Sequence, residues 1–225
     1  MKRYIQISFL SLIILSVTEL FAQPSVSFYF TTAIPVGDFR QFDTDAGFGG
    51  NLEFFFFSPK PKKPFGMGVS ISYFAQGLFF YDDPYSDELE LSNNMANNFA
   101  SMHLVFQVAP AKGRLRPYIE TLFGGSYIFS YSEILTTNYE SVDLYLDDWA
   151  WSYGLGGGLK FLVSEGFENG RGAGFIDLKV RYLFGSDIEY LDRNSIRYAN
   201  DTFYYSVNES NIDMLTVLIG VTLSL

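Results

Sequence analysis

The period of the hydrophobic pattern constrains this chain more than any other feature. From residue 24 to the end, apolar residues recur at every second position, not every third or fourth. The last stretch shows it most plainly. Leu215, Val217, Ile219, Val221, Leu223 and Leu225 share one face, while Thr216, Leu218, Gly220, Thr222 and Ser224 share the other. Trp149, Trp151, Tyr153, Leu155, Leu159, Phe161 and Val163 alternate in the same way with Ala150, Ser152, Gly154, Gly156, Gly158, Lys160 and Leu162. Strict alternation places successive side chains on opposite faces of an extended strand with two unlike surroundings. Beyond the N-terminal segment, no apolar run approaches the roughly 18 to 20 residues of a spanning helix. If the chain enters a membrane, it does so as strands.

Eight segments carry the alternation: residues 25–34, 47–57, 65–80, 98–109, 117–131, 149–163, 174–184 and 215–225. Their small-residue faces are rich in Gly and Ser, whereas a strand facing water carries Lys, Glu and Thr. Their apolar faces gather aromatics toward strand ends, as at Trp149, Trp151, Tyr153, Phe129 and Tyr131. That is the placing of an aromatic girdle, so the large apolar residues are expected to face lipid and the small and charged ones a lumen. Connections alternate in length. Residues 58–64, 110–116 and 164–173 are short; residues 35–46, 81–97, 132–147 and 185–210 are longer. The pattern predicts an all-β fold, a transmembrane antiparallel up-and-down β-barrel of eight strands. Ten is the alternative count, if the aromatic-rich stretch 188–207 pairs into the wall.

Composition narrows the function classes. The chain has 225 residues, is 19% aromatic with 20 glycines, and has no cysteine. So many aromatics exclude disorder. Without cysteine there is no disulfide scaffold, no Cys-based zinc site and no lipoprotein anchor. A net charge of -10 argues against a nucleic-acid partner, because phosphates repel an acidic chain. At the N-terminus, Lys2 and Arg3 precede an apolar stretch over residues 5–15, and Ala22 is small enough for a cleavage site. Residues 1–22 therefore read as a secretory signal peptide and 23–225 as the barrel. Leu20 departs from the small residue preferred two positions before cleavage. The alternative, a membrane anchor, is disfavoured by the short stretch and by Glu19.

Charge is sorted along the chain. The long connections hold Asp82, Asp83, Asp87, Glu88, Glu90, Asp143 and Asp147, followed by Asp148, with Arg40, Arg193 and Arg197 as their basic residues. The short turns hold Lys60, Lys62, Lys63, Lys112, Arg114, Arg116 and Arg171. Solvated loops are the simplest reading. A sharper one has the acidic loops share divalent cations with lipopolysaccharide phosphates, since hard cations take carboxylate oxygens. No loop has the ligand spacing of an EF-hand, so no metal site and no cofactor is assigned. The lumen faces carry Glu53, Glu120, Lys160, Asp177, Lys179 and Arg181. Three acids against three bases in so narrow a barrel predict a cross-linked plug with little or no conductance.

Two patterns resemble catalytic or binding motifs. His103 is the only histidine, with Ser101 two residues earlier on the same face and Glu120 expected on the neighbouring strand. Ser, His and carboxylate are the parts of a hydrolase triad. Nothing around them forms an oxyanion hole or a nucleophile elbow, so a lumen histidine in a polar network is the reading taken. Gly154, Gly156, Gly157 and Gly158 lie inside a strand with no helix after them. The context of a phosphate loop is missing, and glycine there makes room in a small lumen.

Three segments carry a family resemblance: Ile34-Pro35-Val36-Gly37-Asp38-Phe39, Arg116-Pro117-Tyr118-Ile119-Glu120, and Tyr153-Gly154-Leu155-Gly156-Gly157-Gly158-Leu159-Lys160. Together they resemble the outer-membrane β-barrel domain family of Gram-negative bacteria, which includes porin-family and PorT-like small barrels similar in build to OmpX-type and OmpW-type proteins. The resemblance spans residues 23–225 and transfers no catalytic residue. Leu225 departs from the terminal Phe common in such barrels. What it implies is an integral outer-membrane protein with both termini in the periplasm. Its expected partners are outer-membrane lipid, lipopolysaccharide, the barrel assembly machinery and an unidentified surface or secretion partner. A non-enzymatic role in surface interaction or envelope structure is the expectation. The alternatives are a transport or secretion accessory barrel, a lipid-modifying enzyme, and a soluble lipocalin-like barrel.

Overall fold

A computed structural model describes residues 24–41, 45–76, 93–135, 141–167, 172–191, 197–199, 202–204 and 206–225. The expected signal peptide lies outside the described residues. So do Asp82, Asp83, Asp87, Glu88, Glu90, Arg171 and Arg193, and the side chains of Tyr131, Asp143 and Arg197.

The strands are β1 (Ser25–Val36), β2 (Gly47–Phe57), β3 (Phe65–Gln76), β4 (Asn93–Val108), β5 (Leu115–Leu135), β6 (Ser141–Ser164), β7 (Gly174–Gly185), β8 (Asp187–Leu191), β9 (Arg197–Ala199), β10 (Thr202–Tyr204), β11 (Val207–Asn211) and β12 (Asp213–Ser224). A 3-10 turn, Phe39–Gln41, follows β1. β1 to β7 and β12 form a closed barrel. Each pairs antiparallel with its neighbours, and β12 returns to β1. Closure leaves the wall without an unpaired edge.

Register sets the shape. Following paired residues from Ser25 leads through Phe55, Gly68, Val105, Leu122, Gly154, Leu183 and Met214 back to β1 at Pro35. The circuit is therefore staggered by ten residues, from position 25 to position 35. For eight strands at ordinary spacing this requires a tilt of about 40°. Such a barrel is just wide enough for side chains to fill.

The alternation becomes an inside and an outside. In β1, Ser27, Tyr29 and Thr31 are buried while Phe28 and Phe30 are exposed. Phe28, Phe106, Phe123, Val180 and Ile219 are between 47% and 55% exposed, and they lie on five different strands. With the tilt above, the apolar band from Leu225 and Val163 up to Tyr73 and Phe184 is about 25 Å tall, the height expected for a lipid-facing belt. Among the described residues no helix is long and apolar enough to cross a membrane.

The short connections all lie at one end of the barrel, here the turn end. There Leu225 N–H donates to Pro24 C=O at 2.8 Å, which keeps the start of β1 and the end of β12 together. The long connections lie at the other end, the loop end. Their expected limits need correcting. Residues 132–147 are not one long loop: β5 runs to Leu135, β6 starts at Ser141, and the two stay paired from Leu115↔Phe161 to Leu135↔Ser141. Asp143, Asp147 and Asp148 are therefore strand residues. β4 likewise starts at Asn93, five residues before the expected 98. β6 leaves β7 at Ser152↔Gly185 but continues beside β5, which β4 accompanies as far as Asn93↔Ile134, so β4, β5 and β6 extend together past the end of β7. Backbone pairing along the three strands holds this extension, and Val142, Leu144 and Leu146 carry the period of two into it. The alternative of ten wall strands is also corrected. β8 pairs with β11, and β9 with β10, as separate two-stranded sheets outside the closed barrel.

Candidate functional site

The inward positions of the eight strands make a filled lumen, and the charges lie in its turn-end half. β6 supplies the space. Gly156 pairs with Glu120 on one side and Arg181 on the other, and Gly158 pairs with Tyr118 and Lys179. A Cβ at Gly156 would lie 2.9 Å from Arg181 Cγ and 3.3 Å from Glu120 Cγ. Glycine lets the side chains of both neighbouring strands lie across β6. Gly220 serves Tyr29 similarly, since a Cβ there would meet the Tyr29 ring.

Arg181 is the hub. Its Nε donates to Glu120 Oε1 at 2.6 Å and its Nη1 to Ser70 Oγ at 3.2 Å, while Nη2 donates to Glu53 Oε1. Lys179 Nζ donates to Glu53 Oε2 at 2.7 Å and lies 3.7 Å from Glu120 Oε2. It also lies 4.3 Å from the centre of the Tyr29 ring. Asp177 accepts from Tyr118 Oη at 2.6 Å, Tyr29 Oη at 2.8 Å and Thr222 Oγ1 at 3.4 Å. Lys160 Nζ donates to Gln107 Oε1 at 3.1 Å and is 4.0 Å from Asp177 Oδ2. Gln107 Nε2 completes the chain to Glu120 Oε2 at 3.4 Å. All six charged residues named from the sequence thus meet in one network. Removing either member of a buried pair would leave the other charge uncompensated, at a cost of several kcal/mol.

Sequence reasoning missed Tyr29, Tyr118, Phe55 and the bridging Gln107. All four are buried among the charges. Their parity was the available signal: Tyr118 is two residues before Glu120, Tyr29 two after Ser27, and Phe55 two after Glu53.

The Ser101, His103 and Glu120 constellation is not brought together. His103 pairs across the wall with Ser70 and Gly124, while Glu120 pairs with Gln107. Gln107 is four residues along β4 from His103, about 13 Å. Glu120 is held by Arg181, and Ser101 Oγ shares a 2.8 Å hydrogen bond with Ser72 Oγ. His103 is buried, and among the described residues its Nε2 has no hydrogen-bond partner.

Toward the loop end the filling turns apolar. Phe39, carried by the 3-10 turn, lies edge-on to Tyr190 with ring centres 5.2 Å apart and to Phe99 at 6.1 Å. Phe74 stacks on Phe99 at 4.8 Å. Ile188, Ile212 and Met214 are buried with them. This cap and the charge network close the lumen in two layers.

On the outer face, Trp149, Trp151 and Tyr153 are exposed near the loop end. Trp151 stacks on Phe123 at 5.9 Å and Tyr153 on Phe184 at 5.3 Å. A Cβ at Gly125 would collide with the Trp149 indole, so this outward glycine seats the ring. Phe129 packs on Tyr127 at 5.8 Å, and Tyr127 Oη donates to Asp147 Oδ2 at 2.6 Å.

No family model matches the chain, and no curated protein matches it. Among solved structures it is similar to Neisserial surface protein A, with 11% identity over 90% of this chain and 96% of that one, and a TM-score of 0.48. It is similar to Ail, the attachment invasion locus protein of Yersinia pestis, with 14% identity over 91% of this chain and 99% of that one, and a TM-score of 0.44. It is also similar to the outer membrane protease OmpT from Escherichia coli, with 9% identity over 90% of this chain and 96% of that one, and a TM-score of 0.45. Such likenesses transfer no function, because one fold hosts many activities.

Proposed function

We propose that this chain is an integral protein of a bacterial outer membrane, a sealed barrel that presents an acidic loop end to surface partners and carries out no chemistry of its own. The observation that carries this reading is the double closure of the lumen, by the Arg181-centred charge network and by the Phe39 cap. A side-chain-filled lumen offers no path for solutes. The apolar belt supports burial in lipid. The basic turns with Lys60, Lys62, Lys63 and Lys112 support a periplasmic turn end. Lipid, lipopolysaccharide and the barrel assembly machinery are the partners this placement implies. The extension of β4, β5 and β6, with Asp147 and Asp148 on it, would reach past the end of β7 on the side away from the turns. Two measurements test the proposal: current recordings across planar bilayers, and cell-surface labelling of single cysteines in residues 136–140. Steady unitary currents, or label reaching that loop only after the outer membrane is opened, would refute it.

A further inference from the structure

The six lumen charges balance by number but not by contact. Glu53 and Glu120 are taken up by Lys179 and Arg181. Asp177 takes its hydrogen bonds from three neutral hydroxyls, those of Tyr29, Tyr118 and Thr222. Lys160 is left 4.0 Å from Asp177 and, among the described residues, gives one hydrogen bond, to the uncharged Gln107. The rings of Tyr118 and Phe55 lie 5.1 and 5.4 Å from its nitrogen. Ring faces attract a cation but are weak hydrogen-bond acceptors, and an ammonium has three donors.

Beside Lys160 opens a turn-end cavity of about 300 Å³, whose wall also includes Arg116, Lys112, Ser25 and Thr222. Arg116 is half-buried there, its guanidinium 4.6 Å from the centre of the Phe175 ring and its Nε given to Gly113 C=O at 3.1 Å. Among the described residues Glu165 is the single carboxylate on the wall, against three cations. The size is at the lower end of small-molecule sites. Partial burial strengthens a charge-assisted hydrogen bond, and a guanidinium matches the planar or tetrahedral fork of an oxyanion.

We propose that this turn-end vestibule binds a small multivalent oxyanion, a carboxylate or phosphate compound, between Lys160 and Arg116. Lys160 meets the anion from the lumen side, and Arg116 and Lys112 meet it from the rim. The test is calorimetric titration of the purified full chain, folded in detergent micelles, with citrate and with inorganic phosphate. Sodium chloride at matched ionic strength is the control. Saturable binding of at least one probe is expected, weakened about tenfold or more in Lys160→Gln and in Arg116→Gln. Which probe binds tighter distinguishes a carboxylate from a phosphate ligand. Heat-dependent gel migration reports whether each variant is folded. If Lys160→Gln does not fold, the rim variant Arg116→Gln decides alone. Absence of saturable binding by both probes, binding reproduced by chloride, or affinity unchanged in folded Arg116→Gln would overturn the proposal.

Discussion

Replacing Glu53 by Gln removes one charge from the centre of the barrel while keeping the side-chain shape. Glu53 is 0% exposed. Its two oxygens serve Arg181 Nη2 and Lys179 Nζ, the latter at 2.7 Å. The amide keeps one acceptor and turns a donor toward a cation. Three cations then face two carboxylates in a space that water does not enter freely. Breaking a buried pair this way costs about 3–5 kcal/mol, a loss of roughly two to four orders of magnitude in the folded-to-unfolded ratio. Guanidinium titration in micelles, followed by Trp149 and Trp151 emission and by heat-dependent gel migration, reads that change. The second arm adds Lys179→Met, which restores an equal count of charges. The double variant should be at least about 1 kcal/mol more stable than the sum of the single effects, since the two residues touch. A Glu53→Gln protein within about 0.5 kcal/mol of the parent, or strict additivity in the double variant, would refute the claim that the network is held by mutual compensation.

Other expectations follow from single contacts. Val180→Arg puts a charge in the middle of the apolar belt and should cost about 2–4 kcal/mol in lipid vesicles, whereas Lys62→Glu in a turn should change stability little. Phe39→Ala empties the cap where the ring meets Phe99 and Tyr190; it should cost about 3–5 kcal/mol and speed hydrogen exchange in β8 and β11. It should still produce no steady bilayer current, because the charge network below is untouched. His103→Leu removes a buried Nε2 that has no partner among the described residues. It should therefore be within about 1 kcal/mol of the parent, or more stable, in the same titration.

Much of this architecture is legible from parity. A period of two assigns each side chain to one face, which is why all six lumen charges could be named before their contacts were known. Side-chain size misleads where parity does not. Tyr29, Tyr118 and Phe55 are large aromatics of the kind expected outside, yet they occupy inward positions because Gly220 and Gly158 leave the volume for two of them. Strand limits are less legible at the loop end. Within 132–147, polar residues such as Glu133, Thr136, Thr137, Asn138 and Glu140 obscure the strands, although Val142, Leu144 and Leu146 keep the period of two up to the described β6. Phe39 could not be placed, because a loop residue folding back over a lumen depends on contacts distant in sequence. The weaker pairing of Lys160 is not legible either. Equal numbers of charges say nothing about which acids are already occupied by tyrosine hydroxyls.

Odd positions of β12 are the more exposed and even positions the more buried, and the proposed placement puts the odd face against lipid. The absence of native cysteine allows a clean scan. Single cysteines at positions 215 to 223, carrying an environment-sensitive label in lipid vesicles, can be probed with a lipid-soluble quencher. Strong quenching is expected at 217, 219, 221 and 223, with weak quenching or poor labelling at 216, 218, 220 and 222. Quenching with the opposite parity, or with no period of two, would contradict it.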